Sequence, residues 1–316
     1  MAASDMAAVD ALIRRHMDSP VPVIPALADH LIAGAAKRLR PLLTVAAARL
    51  VGARDDACLK LAAAVEFIHT ATLLHDDVVD SSQLRRGRVA AHLIWGAPSS
   101  VLVGDFLFAR AFELMVGANS MPALEILARA SRVIAEGEVL QLTRAHDLDL
   151  SQELYLEIIR AKTAELFAAA AEAGAVSAGA PPERCRALRR YGQDLGLAFQ
   201  LVDDALDYSG DSATLGKNPG DDFREGKATL PLLLAMARTG ASEREFWIRT
   251  IDRRDQADGD FERVRDLMRQ TGALDATLDL AHTYAASAKA ALADFGANPW
   301  RPALEDLADF AVLRRA

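Results

Sequence analysis

An all-helical fold is what this sequence predicts, and three observations predict it. Apolar residues recur at three- and four-residue intervals along nearly all of the 316 residues, the period of helices that bury one face. Alternating apolar–polar runs long enough to make a strand are absent. Aromatic residues are only 6% of the chain while alanine is abundant, so the core is expected to be Ala, Leu and Val packed in helices.

The elements follow in order. A helix over 40–51 ends at Gly52, and the next, 57–80, sets Leu61, Val65, Ile68, Thr72 and Leu73 on one helical repeat. Gly87 and Gly96-Ala97-Pro98 break the chain before a helix over 99–117, and a break at Pro122 accompanies the helix 121–143. Helices over 151–178 and 183–208 flank Pro181-Pro182. Helices over 228–238, 260–270, 274–294 and 301–313 complete the chain, with Gly272 and Pro299 as further breaks. The one long polar, glycine-bearing loop is 209–226. No linker divides the chain, so one domain over 1–316 is expected.

Composition excludes several classes. Hydrophobic residues at 51% and charged residues at 25% describe a globular chain rather than a disordered one. A net charge of −8 argues against nucleic-acid binding, which needs a basic face. Two distant cysteines, Cys58 and Cys185, make neither a disulfide framework nor a zinc site, and fit a reducing compartment. Met1 to Arg15 lacks a signal pattern, and no uncharged run reaches 18 residues, so a cytoplasmic location is expected.

The chemistry lies in two aspartate runs, Asp76-Asp77-x-x-Asp80 and Asp203-Asp204-x-x-Asp207. Residues four apart on a helix stand about 40° apart around the axis and about 6 Å along it. Asp76 and Asp80 are therefore expected on one face, as are Asp203 and Asp207. Carboxylates so crowded repel one another unless cations neutralise them. A solvated acidic face is the plain alternative, but both runs end apolar stretches, LLHDDVVD and FQLVDDALD, where such a face is not expected. Hard oxygen donors favour Mg²⁺, which keeps its waters and shares phosphate oxygens with a substrate. Arg85-Arg86-Gly87-Arg88 follows the first run, Lys217 and Lys227 follow the second, and Lys37-Arg38-x-Arg40-Pro41 opens a helix upstream. Cations beside metal-binding carboxylates suit a diphosphate held from both sides. No GxxxxGK[ST] or GxGxxG is present, so the phosphate site is not a nucleotide loop.

On these segments the chain resembles the trans-isoprenyl diphosphate synthases: KRLRP (37–41), EFIHTATLLHDDVVDSSQLRRG (66–87), SSVLVGDFLFARAF (99–112), EGEVLQL (136–142), RAKTAELF (160–167) and FQLVDDALDYSGDSATLGKNPGDDFREGKATLPLLL (199–234). They run in order through nearly the whole chain and are most similar to octaprenyl and decaprenyl diphosphate synthases, which make quinone side chains. The resemblance implies a single helical bundle around a central cavity, the isoprenoid synthase fold, assembled as a homodimer. It implies Asp76, Asp80 and Asp203 as direct ligands of three Mg²⁺ ions, with Asp77, Asp204 and Asp207 as further ligands or supports of metal-bound water. Arg85, Lys162, Lys217 and Lys227 are implied as the clamp on the allylic diphosphate. Lys37, Arg40, His69 and Arg86 are implied as the site for isopentenyl diphosphate. Thr163 and Gln200 correspond to polar groups whose oxygens face the allylic cation, and the released diphosphate takes the final proton.

Two features depart from the family or qualify its product. Ala35-Ala36 replaces the usual Gly-Gly before Lys37, and Val89 replaces a common proline. Ala71 and Thr72, five and four residues before Asp76, are small where short-chain members carry aromatics, which implies a deep tunnel and a long product. Release of so apolar a product implies transient membrane contact. The competing readings are a shorter-chain synthase, a non-catalytic subunit of a heteromeric synthase, a terpene cyclase, and a di-iron site on Glu66-x-x-His69. The cyclase usually lacks the second run, and the di-iron site lacks its second Glu-x-x-His.

Overall fold

The computed structural model describes residues 2–32, 38–85, 87–209 and 220–314, and these are helical almost throughout. The helices are α1 (Ala3–His16), α2 (Val23–Ile32), α3 (Leu39–Leu50), α4 (Ala57–Val79), α5 (Ala91–Trp95), α6 (Ala97–Gly117), α7 (Met121–Thr143), α8 (Gln152–Ile159) and α9 (Glu165–Ser177). They continue as α10 (Pro182–Ser209), α11 (Asp221–Glu225), α12 (Leu230–Thr239), α13 (Arg244–Trp247), α14 (Asp260–Thr271), α15 (Ala273–Ala290) and α16 (Trp300–Leu313). A two-residue hairpin, β1 (Leu84–Arg85) with β2 (Arg88–Val89), is the only sheet among the described residues. Gly87 closes it at a φ of 74°, where a side chain would be strained.

The chain separates into two compact units. The first comprises 1–132, 166–192 and 291–305. Its centre is α4, which packs against α1, α3, α5 and α6. Apolar residues lie on every side of α4, from Leu61 and Val65 to Ile68, Ala71 and Leu74, and all of these are buried. Among the described residues α4 is the one helix long and apolar enough to cross a membrane, and here most of it is covered by protein. Asp76, Asp77 and Asp80 lie where this helix ends, so its burial fixes them in place. The hairpin that follows is tied to α2: Arg88 Nη1 donates to the His30 carbonyl, and His30 Nε2 lies 2.9 Å from the Val89 carbonyl.

The second unit comprises 133–165, 193–290 and 306–316. One core there gathers Tyr155, Ile158 and Ile159 of α8 with Leu197, Leu201 and Val202 of α10 and Leu230 and Leu233 of α12. Another gathers Tyr208, Phe223, Leu232, Trp247, Val264 and Met268. Ser151 caps α8 by accepting from the Leu154 N–H. At 160–164 the helical path widens into one π turn before α9 begins, a distortion that recurs at functional sites. Gly137 permits it, because a Cβ there would sit 2.8 Å from the Ala161 Cβ and 2.9 Å from the Lys162 nitrogen.

The predicted helices from 40–51 to 301–313 agree with this path to within a few residues. The differences are α1, α2, the hairpin, the π turns at 160–164 and 248–252, the 3₁₀ turn Ala241–Glu243 and the short helices α5, α11 and α13. Most of the long loop predicted over 209–226 lies outside the described residues, and its last part forms α11.

Candidate active site

In the first unit the aspartate run divides by burial. Asp76 and Asp80 are partly exposed, while the Asp77 side chain is only 1% exposed. The Asp80 N–H donates to the Asp76 carbonyl at 2.8 Å, so the last helical turn holds the two accessible carboxylates on adjacent levels. Asp77 accepts from Arg85 through Nε at 2.8 Å and Nη2 at 2.5 Å, both on Oδ1, while its buried Oδ2 has no hydrogen-bond partner among the described residues. Arg85 thus grips the motif from the hairpin. Burial, the largest single influence, works against its charge, but Asp77, Asp76 and Asp80 together hold its pKa above the usual arginine value. A small cavity beside it is lined by His30, Leu31, Thr70, Leu73, Arg88 and Ala91.

Of the upstream cations, Arg40 stacks 4.2 Å from the Phe167 ring centroid. Its Nη1 lies 3.1 Å from His69 Nε2. Arginine only donates, so His69 accepts there and carries its own proton on Nδ1. Arg40 and His69, both assigned to one diphosphate, are therefore in contact. Arg38 turns the other way, to the buried Glu66 at 2.6 Å and to Asp10 at 3.2 Å. Its φ of 49° is left-handed, a strained setting for arginine that the two carboxylates hold. Nothing in the sequence pattern marks Arg38 off from Arg40. Glu66 and His69 each face an arginine, which removes the di-iron reading of that pair. Ala71 is fully buried, and the Thr72 hydroxyl donates to the His69 carbonyl at 2.8 Å.

The second unit wires its run differently. Asp203 is 42% exposed, and Arg314 Nη1 donates to its Oδ1 at 2.8 Å while Nη2 donates to the Phe199 carbonyl at 2.9 Å. Asp204 is buried between two uncharged donors, the Tyr155 hydroxyl on Oδ2 and Gln200 Nε2 on Oδ1 at 2.7 Å. Burial first, and then the charge of Asp222, push the Asp204 carboxyl up against the pull of those donors. Asp207 is fully buried and accepts the Asp222 N–H at 3.0 Å. The segment at 220–222 thus covers Asp207, whose carbonyl also accepts the Gly220 N–H, while Asp203 of the same run stays exposed.

The π turn sets out Lys162 and Thr163. Lys162 Nζ donates to Glu138 Oε2 and Gln141 Oε1, each at 2.7 Å, on the stretch of α7 that contains Gly137. The Thr163 hydroxyl donates to Gln200 Oε1 at 2.9 Å. Lys227 pairs with Glu225 at 2.6 Å. Lys37, Arg86 and Lys217, with Ala35-Ala36, lie outside the described residues. Tyr155, Glu138 and Arg314 are the residues that sequence reasoning passed over. Tyr155 sits seven positions before Lys162 in a helical stretch, so spacing alone pointed to it.

These donors fit Mg²⁺ on chemical grounds. Within each unit, no three His, Cys, Asp or Glu side chains among the described residues converge on one ion. An ion would have one or two carboxylates, its own waters and the oxygens of a substrate, which is how Mg²⁺ is held beside phosphates.

The polyprenyl synthetase family model matches residues 21–268. The octaprenyl diphosphate synthase of Escherichia coli (strain K12) is 47% identical over 314 residues, covering 99% of this chain and 97% of that one. A polyprenyl synthase from Caulobacter crescentus CB15, crystallised with calcium and isoprenyl diphosphate, is 74% identical with a TM-score of 0.98, covering 100% of this chain and 96% of that one. A decaprenyl diphosphate synthase from Rhodobacter capsulatus is 55% identical with a TM-score of 0.94, covering 98% and 96%.

Proposed function

We infer the activity from the family: the chain belongs to the polyprenyl synthetases, and it is a long-chain trans-polyprenyl diphosphate synthase, a transferase of the all-α isoprenoid synthase fold. Its reaction adds isopentenyl diphosphate repeatedly to an allylic diphosphate such as farnesyl diphosphate. The finer reading is an octaprenyl or decaprenyl product destined for quinone side chains. The observation that carries it is full-length similarity to octaprenyl and decaprenyl synthases in a chain whose Ala71, buried in α4 just before the accessible Asp76 and Asp80, is small.

Mg²⁺ bound through Asp76, Asp80 and Asp203, three ions in the reading adopted, would stabilise the charge on the departing diphosphate. The chain's own residues do the rest. Arg85, Lys162 and Lys227 supply positive charge for the allylic diphosphate, joined by Lys217. Arg85 uses Nε and Nη2 on Asp77 and keeps Nη1 outside that pair. Lys162 is aimed by Glu138 and Gln141 rather than left to swing. Arg40, with its ring partner Phe167 and its acceptor His69, supports the homoallylic diphosphate, together with Lys37 and Arg86. Gln200 Oε1 and Thr163 Oγ1 present oxygens to the allylic cation.

The same reading makes the protein a cytoplasmic homodimer acting as one domain, with transient membrane contact at product release. Two free, buried cysteines suit a reducing compartment. Leu102, Phe112 and Val116 of α6 are exposed apolar side chains that a second copy would cover. Incubation of the purified protein with Mg²⁺, isopentenyl diphosphate and farnesyl diphosphate, followed by chromatography of the dephosphorylated product, tests the reading. An octaprenyl or decaprenyl alcohol is expected. A geranylgeranyl product contradicts the chain length, a cyclised hydrocarbon the reaction, and no turnover the assignment as a self-sufficient enzyme.

A further inference from the structure

Four side chains in the second unit form one directed line. The Tyr155 hydroxyl donates to Asp204 Oδ2, Gln200 Nε2 donates to Asp204 Oδ1 at 2.7 Å, and the Thr163 hydroxyl donates to Gln200 Oε1 at 2.9 Å. Tyr155 and Asp204 are both buried. The contacts set the direction: Asp204 Oδ1 accepts from the Gln200 NH₂, which leaves the amide carbonyl to accept from the Thr163 hydroxyl. Without a fixed carboxylate, the amide has no reason to prefer that orientation, since Thr163 can donate to an oxygen or accept from a nitrogen equally well.

We propose that Tyr155 is a positioning residue for the condensation: by holding Asp204 it fixes the Gln200 amide with its oxygen, not its NH₂, toward the substrate cation. The proposal rests on the reading that Gln200 faces that cation. The sign of the effect follows from the amide dipole. Oxygen toward a developing positive charge lowers the barrier, and NH₂ toward it raises the barrier. Asp204 is then an anchor for an uncharged reacting shell, and this explains why its donors are a phenol and an amide. A guanidinium there would add a positive charge beside the developing cation.

The test is a double-mutant cycle on kcat and KM with Tyr155→Phe, Gln200→Leu and the pair, alongside circular dichroism and melting. Tyr155→Phe alone is expected to lower kcat about 10- to 100-fold, the size typical of losing a supporting hydrogen bond. Both KM values should stay within about twofold, because no diphosphate contact is touched. In the Gln200→Leu background the same change should alter kcat by less than about twofold, because the amide it orients is gone. A purely structural tyrosine would give equal losses in both backgrounds, and that additivity, or wild-type kcat in Tyr155→Phe, overturns the proposal. Should Tyr155→Phe fail to fold, Tyr155→Met in the same two backgrounds, which likewise removes the hydroxyl donor to Asp204, gives the same pair of outcomes. If the wild-type protein does not elongate at all, the proposed function fails first. If it elongates while the cycle is additive, only the role of Tyr155 fails.

Discussion

Asp77 and Asp204 occupy the same middle place in two identical motifs, yet one is met by a guanidinium and the other by a phenol and an amide. Their neighbours differ as well. The first run leaves both outer carboxylates partly exposed at the end of a buried helix, whereas the second leaves only Asp203, because Asp207 is covered. The difference teaches that DDxxD specifies a spacing and not a set of ligands. Helical geometry puts residues four apart on one side, and tertiary contacts decide which of them reaches solvent.

The largest expected effects fall on the accessible carboxylates. Asp76→Asn and Asp203→Asn should each lower kcat by about 10²- to 10³-fold, comparable to removing one preorganised stabilising group in other enzymes. Steady-state turnover with melting as a control checks this. Next comes the ion pair. Arg85→Ala leaves Asp77 buried and charged without its cation, and should cost about 3 kcal/mol of stability, read as a lower denaturant midpoint. The Tyr155→Phe change of the second unit should cost less, about 1–2 kcal/mol, because it removes an uncharged donor. Equal losses would show that the two middle aspartates are held alike. Metal removal comes third. Mg²⁺ at about 100 times its dissociation constant adds about 2.7 kcal/mol to folding stability per site. A chelator should therefore lower the melting temperature of the wild type and leave a doubly substituted Asp76→Asn, Asp80→Asn protein much less affected.

A gentler change sharpens the comparison in front of the two runs. The residues four and five before Asp76 are Thr72 and Ala71, while those before Asp203 are Phe199 and Ala198, and Phe199 is already stacked under Arg314. A bulky side chain therefore exists ahead of one run and not the other. Ala71→Phe should shorten the product while leaving the first condensation nearly unchanged, and product analysis showing an unaltered length would contradict the assignment of Ala71 and Thr72.

The helices were legible because burial of one face leaves a period in the residues, and α4 was clearest because it is apolar all round. The first two were not. Only Val9 and Ile13 of α1 are buried, too few to give a repeat. Pro20, Pro22 and Pro25 interrupt any apolar repeat around α2, although Pro25 lies in its first turn, where a missing N–H costs nothing. The accessible carboxylates were legible from spacing. The burial of Asp207 was not, because it depends on a segment 15 positions away that supplies the Asp222 N–H. The π turn left no trace in residue order, since it shifts the hydrogen-bond partners of Lys162 and Thr163 without needing a special residue there. Arg38 and Arg40 looked alike as cations, and only a left-handed backbone separated the one that pins α1 to α4 from the one that meets His69.

The unequal use of the two motifs is tested most directly within the second run. Asp203→Asn and Asp207→Asn are compared for binding of Mn²⁺, followed by electron paramagnetic resonance, in proteins confirmed as folded. Asp203→Asn should weaken Mn²⁺ binding about 10-fold or more, while Asp207→Asn should bind as the wild type does and lose only stability. Equal weakening in both variants would mean that Asp207 reaches the ion, and would contradict the reading of one accessible carboxylate in the second run.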